Sequence, residues 1–219
     1  MYSILAFDTS MAHCSIGVFN KDTGRTLSKS EPMERGHAEV LVPAIQALLA
    51  KAKIEFSALD AIAVPLGPGA FTGLRIGLST AQSLGLSLDI PVVGIPSFDA
   101  LARPLDIPNL GILIETKRSD FYVRAPGGGG AAMEAAAVIE AYGGQEICWI
   151  GDGIARFQEA VGAMPSGFFF KTGHERILPE TLIEMAMERL PLSNVSALAP
   201  IYLRGADVSQ PKVLPRQIS

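Results

Sequence analysis

Apolar positions along this chain change period several times, and each change marks a strand or a helix. Ile4 to Phe7 is a continuous apolar run, a buried strand ending in Asp8-Thr9-Ser10. Cys14 to Phe19 reads as a second strand. Lys21-Asp22-Thr23-Gly24 then supplies the turn of a hairpin into a third strand around Thr26 to Lys29. From His37 to Lys53 the apolar residues Leu41, Ile45, Leu48, Leu49 and Ala52 fall at helical spacing. Pro43 lies in the first two turns of that helix, where a proline does least damage. A strand at Ala61 to Val64, a glycine-rich loop, a helix lasting to about Ser87 and a strand at Pro91 to Ile95 follow.

The order β-β-β-α-β-α-β describes an antiparallel hairpin unit continued by parallel crossovers, an α/β sheet of the ribonuclease-H-like kind. Pro104 and Pro108 bracket a linker, and a second unit begins beyond it. Gly111 to Glu115 is a strand, Thr116 to Asp120 a turn and Phe121 to Arg124 the return strand, echoing the opening around Asp8. Gly127 to Gly130 reads as a flexible loop tip and Glu134 to Ala141 as a short helix. Ile147 to Ile150 is a strand, Ile154 to Val161 a helix, Phe168 to Lys171 a strand and Leu178 to Leu190 a helix. Pro200-Ile201-Tyr202-Leu203-Arg204 precedes a polar tail expected to be mobile. Two lobes are expected, residues 1–103 and a second, related lobe at 104–219 that includes the C-terminal tail.

The run Gly67-Pro68-Gly69-Ala70-Phe71-Thr72-Gly73-Leu74-Arg75-Ile76-Gly77 joins a strand to a helix. Within that helix Gly73, Gly77, Ala81 and Gly85 recur every four residues, so one stripe carries almost no side chain. Each mid-helix glycine costs roughly 1 kcal/mol against alanine. A helix that accepts several of them lets another backbone approach closely, either that of a partner or that of its own core.

The 219 residues are 48% hydrophobic with mean hydropathy +0.31, enough to bury a large core, and carry a net charge of −4. No basic patch marks a lone nucleic-acid binder, so any RNA would be held chiefly by a partner. Cys14 and Cys148 sit in apolar runs and are expected to be reduced, buried thiols. The chain enters a strand at its first residues without a basic n-region, and no apolar run approaches the roughly 20 residues that span a bilayer. A soluble cytoplasmic protein is expected.

Asp8-Thr9-Ser10 stands where actin-like ATPases place their first phosphate loop, but it lacks glycine; the alternative is that Asp8 caps the turn. The loop at residue 67 has no Gly-Lys-[Ser/Thr] ending and is not a Walker A loop. Arg75, one turn into the helix, is suited to an anion at the helix N-terminus or to a partner salt bridge. His37 has Leu41 where a metal-binding helix would repeat histidine, which argues against a metal. No Ser/His/Asp arrangement can be argued from spacing.

Asp8-Thr9-Ser10, Arg35 to Pro43, Gly67 to Gly77, Glu115 to Tyr122 and Pro200 to Arg204 fall in the order of one family. The chain resembles the bacterial TsaB (YeaZ) family of tRNA threonylcarbamoyladenosine biosynthesis proteins. The first half matches best, and residues 125–195 are generic.

That resemblance implies an actin-like (ASKHA) two-lobed α/β fold and a non-catalytic role as partner of the related metal-containing subunit TsaD. TsaD transfers threonylcarbamoyl onto adenosine 37 of tRNAs decoding ANN codons, and an ATPase, TsaE, joins the complex. The catalytic relative carries paired metal histidines on the helix corresponding to residues 37–52; here His37 stands alone, so neither metal nor cofactor is expected. Expected interface residues are His37, Leu41, Ile45 and Leu48 on one helix. On the other they are Gly73, Arg75, Gly77, Leu78, Ala81, Gln82 and Gly85. A homodimer through the same surface is expected when the partner is missing, with tRNA met only through the complex. The competing readings are an actin-like ATP-dependent enzyme or an M22-type glycopeptidase, and a stripe that only packs inside the monomer.

Overall fold

The computed structural model describes residues 1–190 and 198–204. Two five-stranded mixed sheets form its frame. The first is built from β1 (Ile4–Met11), β2 (His13–Asn20), β3 (Arg25–Pro32), β4 (Ala61–Gly67) and β5 (Val92–Pro96), in the order β3-β2-β1-β4-β5. β1, β2 and β3 are antiparallel, and β1, β4 and β5 are parallel. The crossovers run through α1 (His37–Ala52) and α2 (Phe71–Leu88). The second sheet contains β6 (Leu110–Glu115), β7 (Asp120–Arg124), β8 (Ala131–Glu134), β9 (Ile147–Ile150) and β10 (Phe168–Phe170). Its order, β8-β7-β6-β9-β10, repeats the first in both sequence and direction. This duplicated arrangement is the actin-like α/β fold.

Period-two alternation explains the layering. Leu5, Phe7, Ile62 and Val64 point from the first sheet into a core shared with Leu41, Ile45 and Leu49 of α1 and Leu74, Leu78 and Ala81 of α2. Ile4, Ala6, Ala61 and Ala63 point the other way. They meet α3 (Ser97–Ala102), α6 (Pro179–Arg189) and Ile112, Ile114 and Ile150 of the second sheet, so one core joins the two sheets. On its remaining face the second sheet buries Leu113, Phe121, Val123 and Trp149 beneath α4 (Ala135–Tyr142) and α5 (Ile154–Val161). α6, which comes from the second half of the chain, packs across β1, β2, β4 and β5 of the first sheet.

α3 and β8 are among the elements that escaped the sequence pattern. α3 is six residues long, too short to display a helical period. β8 is an alanine-rich strand held by pairing with β7 and not by any alternation of its own. β1 also runs past Asp8, because Asp8 pairs with Ser15 and Met11 with His13. Neither cysteine is in a disulfide; Cys14 is buried and Cys148 only half-buried, less than expected. Among the described residues no helix is long and apolar enough to cross a membrane. The polar tail expected after Arg204 lies outside the described residues.

Candidate functional site

The end of β1 and the start of α2 are pressed together. Asp8, Thr9 and Ser10 are all buried. Asp8 Oδ1 accepts hydrogen bonds from the Ser10 backbone N–H (2.7 Å) and the Ser10 hydroxyl (2.6 Å), capping the turn, while its Oδ2 has no partner among the described residues. Burial pushes the Asp8 carboxyl up to about 6, although the bonds from Ser10 pull it down. The Thr9 hydroxyl donates to Gly73 O (2.7 Å), and the Ala70 N–H donates to Ser10 O (2.7 Å). Thr9 and Ser10 thereby hold α2 against β1.

The glycine stripe serves the same contact. A Cβ on Gly73 would stand 1.9 Å from the Thr9 carbonyl oxygen, and one on Gly77 2.9 Å from Thr9 Oγ1. Further along α2, a Cβ on Gly85 would stand 2.5 Å from Val92 on β5. Gly67, where the chain leaves β4, has φ +103°, which only glycine adopts without strain. Of the residues expected at an interface, Gly73, Gly77, Leu78, Ala81 and Gly85 of α2 and Leu41, Ile45 and Leu48 of α1 are buried in the chain's own core. A four-residue stripe signals close backbone approach, and here the approaching backbone is the chain's own strand. His37 is buried too, its Nε2 lying 3.3 Å from His13 O. Among the described residues no three His, Cys, Asp or Glu side chains converge as a metal site.

Of the residues singled out in the sequence, Arg75 and Gln82 do face outward. Beside them α2 exposes Phe71 (54%) and Leu86 (87%), and α1 exposes Val42 (39%). An open groove of about 530 Å³ runs between the helices, lined by Ala38, Phe71, Thr72, Arg75, Ile76, Ser79 and Thr80. Phe71, Leu86 and Val42 occupy the positions between the buried ones, where the sequence carries no apolar period to mark them. Tyr202, from the segment Pro200 to Arg204, stands beside Phe71 and Arg75, a contact that no spacing in the sequence marks. Arg75 Nε donates to Tyr202 Oη (3.2 Å), and the guanidinium carbon lies 3.8 Å from the Phe71 ring centroid.

A second polar cluster gathers at the β6–β7 hairpin. Asp152 Oδ1 accepts from the Glu115 N–H (2.9 Å), and Arg156 pairs with Glu115 (2.6 Å). Desolvation, helped by the charges of Glu115 and Asp8, lifts Asp152 to about 7. Thr116 and Arg204 both bind the Asp120 carboxylate.

Residues 30–137 match the family model described as TsaD, tRNA N6-adenosine threonylcarbamoyltransferase. A tRNA threonylcarbamoyladenosine biosynthesis protein TsaB from Buchnera aphidicola is 44% identical over 100 residues, which are 46% of this chain and 47% of that protein. An uncharacterized Mycobacterium bovis protein is 34% identical over 142 residues, covering 63% of this chain and 67% of the relative. The chain thus spans about half the length of the TsaB-named relative from Buchnera. The solved structure of YeaZ from Pseudomonas aeruginosa superposes with a TM-score of 0.74 at 26% identity, covering 93% of this chain and all of that one. In fold and in sequence, this chain belongs to the TsaB/YeaZ family.

Proposed function

We propose that this chain is a non-catalytic subunit in the biosynthesis of threonylcarbamoyladenosine in tRNA, one that docks on and activates a TsaD-like catalytic paralogue. The observation that carries the reading is the outer surface of α1 and α2. Exposed apolar side chains (Val42, Phe71 and Leu86) stand there beside a groove, on two helices whose opposite faces are fully used by the core. Apolar exposure of this kind on paired helices fits docking against equivalent helices of a homologous protein.

The non-catalytic role is supported by what the residues are used for. Leu41, at the place of a second metal histidine, is wholly buried. Thr9 and Ser10 hold the α2 start, Asp8 holds Ser10, and all three are buried. A net charge of −4 fits a subunit that meets tRNA through its partners, a TsaE-like ATPase among them. Without the paralogue, the same surface would pair two copies of this chain.

Co-purification with the TsaD-like paralogue tests this. A complex that Leu86→Glu disrupts is expected. The reading would be overturned by no complex, or by threonylcarbamoyl transfer catalysed by this chain alone.

A further inference from the structure

Residues 198–204 form a strap across the start of α2. The Ile201 N–H donates to Leu66 O (2.7 Å), and a Cβ on Gly67 would stand 2.8 Å from Ile201 O, so the strap lies directly on the loop that launches the helix. Leu198 packs against the core beneath α1 and α2, and Leu203 against the core between the sheets. At its far end Arg204 pairs with Asp120 of the second sheet (2.8 Å). Tyr202 sits between these anchors, its ring centroid 5.7 Å from that of Phe71.

The hydrogen-bonding arithmetic is one-sided. Arg75 spends its Nε–H on Tyr202 Oη and lies over the Phe71 ring. Its Nη donors meet no acceptor among the described residues. Because the Tyr202 oxygen accepts from Arg75, its own O–H is directed elsewhere. Arg75 is also the only charged residue of α2. A fixed guanidinium fork with a hydroxyl donor beside it, half-exposed at the rim of a groove, is the complement of a carboxylate.

We propose that Arg75, Tyr202 and Phe71 form a clamp that receives an acidic side chain of the protein partner docked in the α1–α2 groove. This rests on the docking reading above. Arg75 and the Tyr202 hydroxyl bind the carboxylate, while the Tyr202 oxygen and the Phe71 ring position the guanidinium. A protein carboxylate is favoured over an RNA phosphate by the surroundings. The groove is walled by Ala38, Thr72, Ile76, Ser79 and Thr80, which suit close helix packing, and α2 offers no second cation to follow a nucleic-acid backbone.

The test is a double-mutant cycle on the affinity for the TsaD-like paralogue, by isothermal titration calorimetry, with melting temperatures confirming the fold of each variant. Arg75→Ala should weaken binding roughly 10- to 100-fold, the range of a charged hydrogen-bonded pair. Arg75→Lys, which lacks the fork, should recover little of it. Tyr202→Phe keeps the ring and removes the hydroxyl; it should weaken binding about 3- to 10-fold alone and less than about twofold beside Arg75→Ala. Retention of affinity by Arg75→Ala, or full additivity of the two substitutions, would overturn the clamp while leaving docking intact. Absence of binding by the unaltered chain would overturn docking first. If instead the chain alone bound unmodified tRNA and lost it with Arg75→Ala, the clamp would belong to phosphate and the proposal would fall.

Discussion

Replacing Gly73 by alanine is the sharpest probe of how α2 is held. The added Cβ would stand 1.9 Å from the Thr9 carbonyl oxygen, where ordinary contact begins at 3.4 Å, so helix and strand must separate by more than an ångström. Both are backbone, and neither can yield by changing a rotamer. Overpacking of this kind costs about 1–3 kcal/mol. The separation also stretches the buried bond from the Thr9 hydroxyl to Gly73 O (2.7 Å). Its loss costs about 1 kcal/mol. Better helix propensity returns roughly 1 kcal/mol. The net expectation is a loss of about 1–3 kcal/mol, or roughly 2–12 °C in melting temperature for a chain of this size. Gly77→Ala is the internal comparison. Its Cβ would meet only the Thr9 hydroxyl, at 2.9 Å, so packing and propensity should nearly cancel, within about 1 kcal/mol. Thermal melting of the two variants beside the parent decides the matter. A Gly73→Ala protein that melts at or above the parent temperature would refute the close-contact account of the stripe.

Three further outcomes follow from the same structure. Asp8 and Asp152 are held above their ordinary value of 3.8, at about 6 and about 7. Folding favours the protonated acids, so their contribution is full below about pH 4 and lost as pH rises through 6 and 7. Asp152→Asn, which keeps an acceptor for the Glu115 N–H, should therefore gain melting temperature relative to the parent between pH 5 and pH 8; an unchanged difference would refute the assignment. Leu86→Glu should leave melting unchanged, since Leu86 is 87% exposed, yet weaken association with the paralogue at least about tenfold. Because His37 is buried and Leu41 is apolar, metal analysis of the purified chain should find no stoichiometric zinc; one tightly held zinc ligated by His37 would contradict this.

Much of the fold was legible because burial imposes a period. The apolar runs of β1, β2 and β4 and the spacing of Leu41, Ile45 and Leu48 placed those elements within a few residues. Elements held by their neighbours were not: β8 lacks alternation, and α3 is shorter than two turns. At the site the stripe was read correctly as a place of close backbone approach, but sequence alone could not say which backbone. The side that faces outward carries Phe71, Arg75, Gln82 and Leu86, of which only the polar pair had been singled out. Contacts such as Tyr202 with Arg75, 127 residues apart, leave no periodic trace at either position.

The central claim is that this chain acts by docking and not by catalysis. Its most direct test is the rate of threonylcarbamoyl transfer to tRNA by the TsaD-like paralogue, measured with its other pathway proteins while this chain is titrated in. The account predicts a rate that rises with added chain, saturates at a fixed stoichiometry, and fails to rise with Leu86→Glu. A paralogue that is fully active without this chain, or transfer that proceeds without the paralogue, would contradict it.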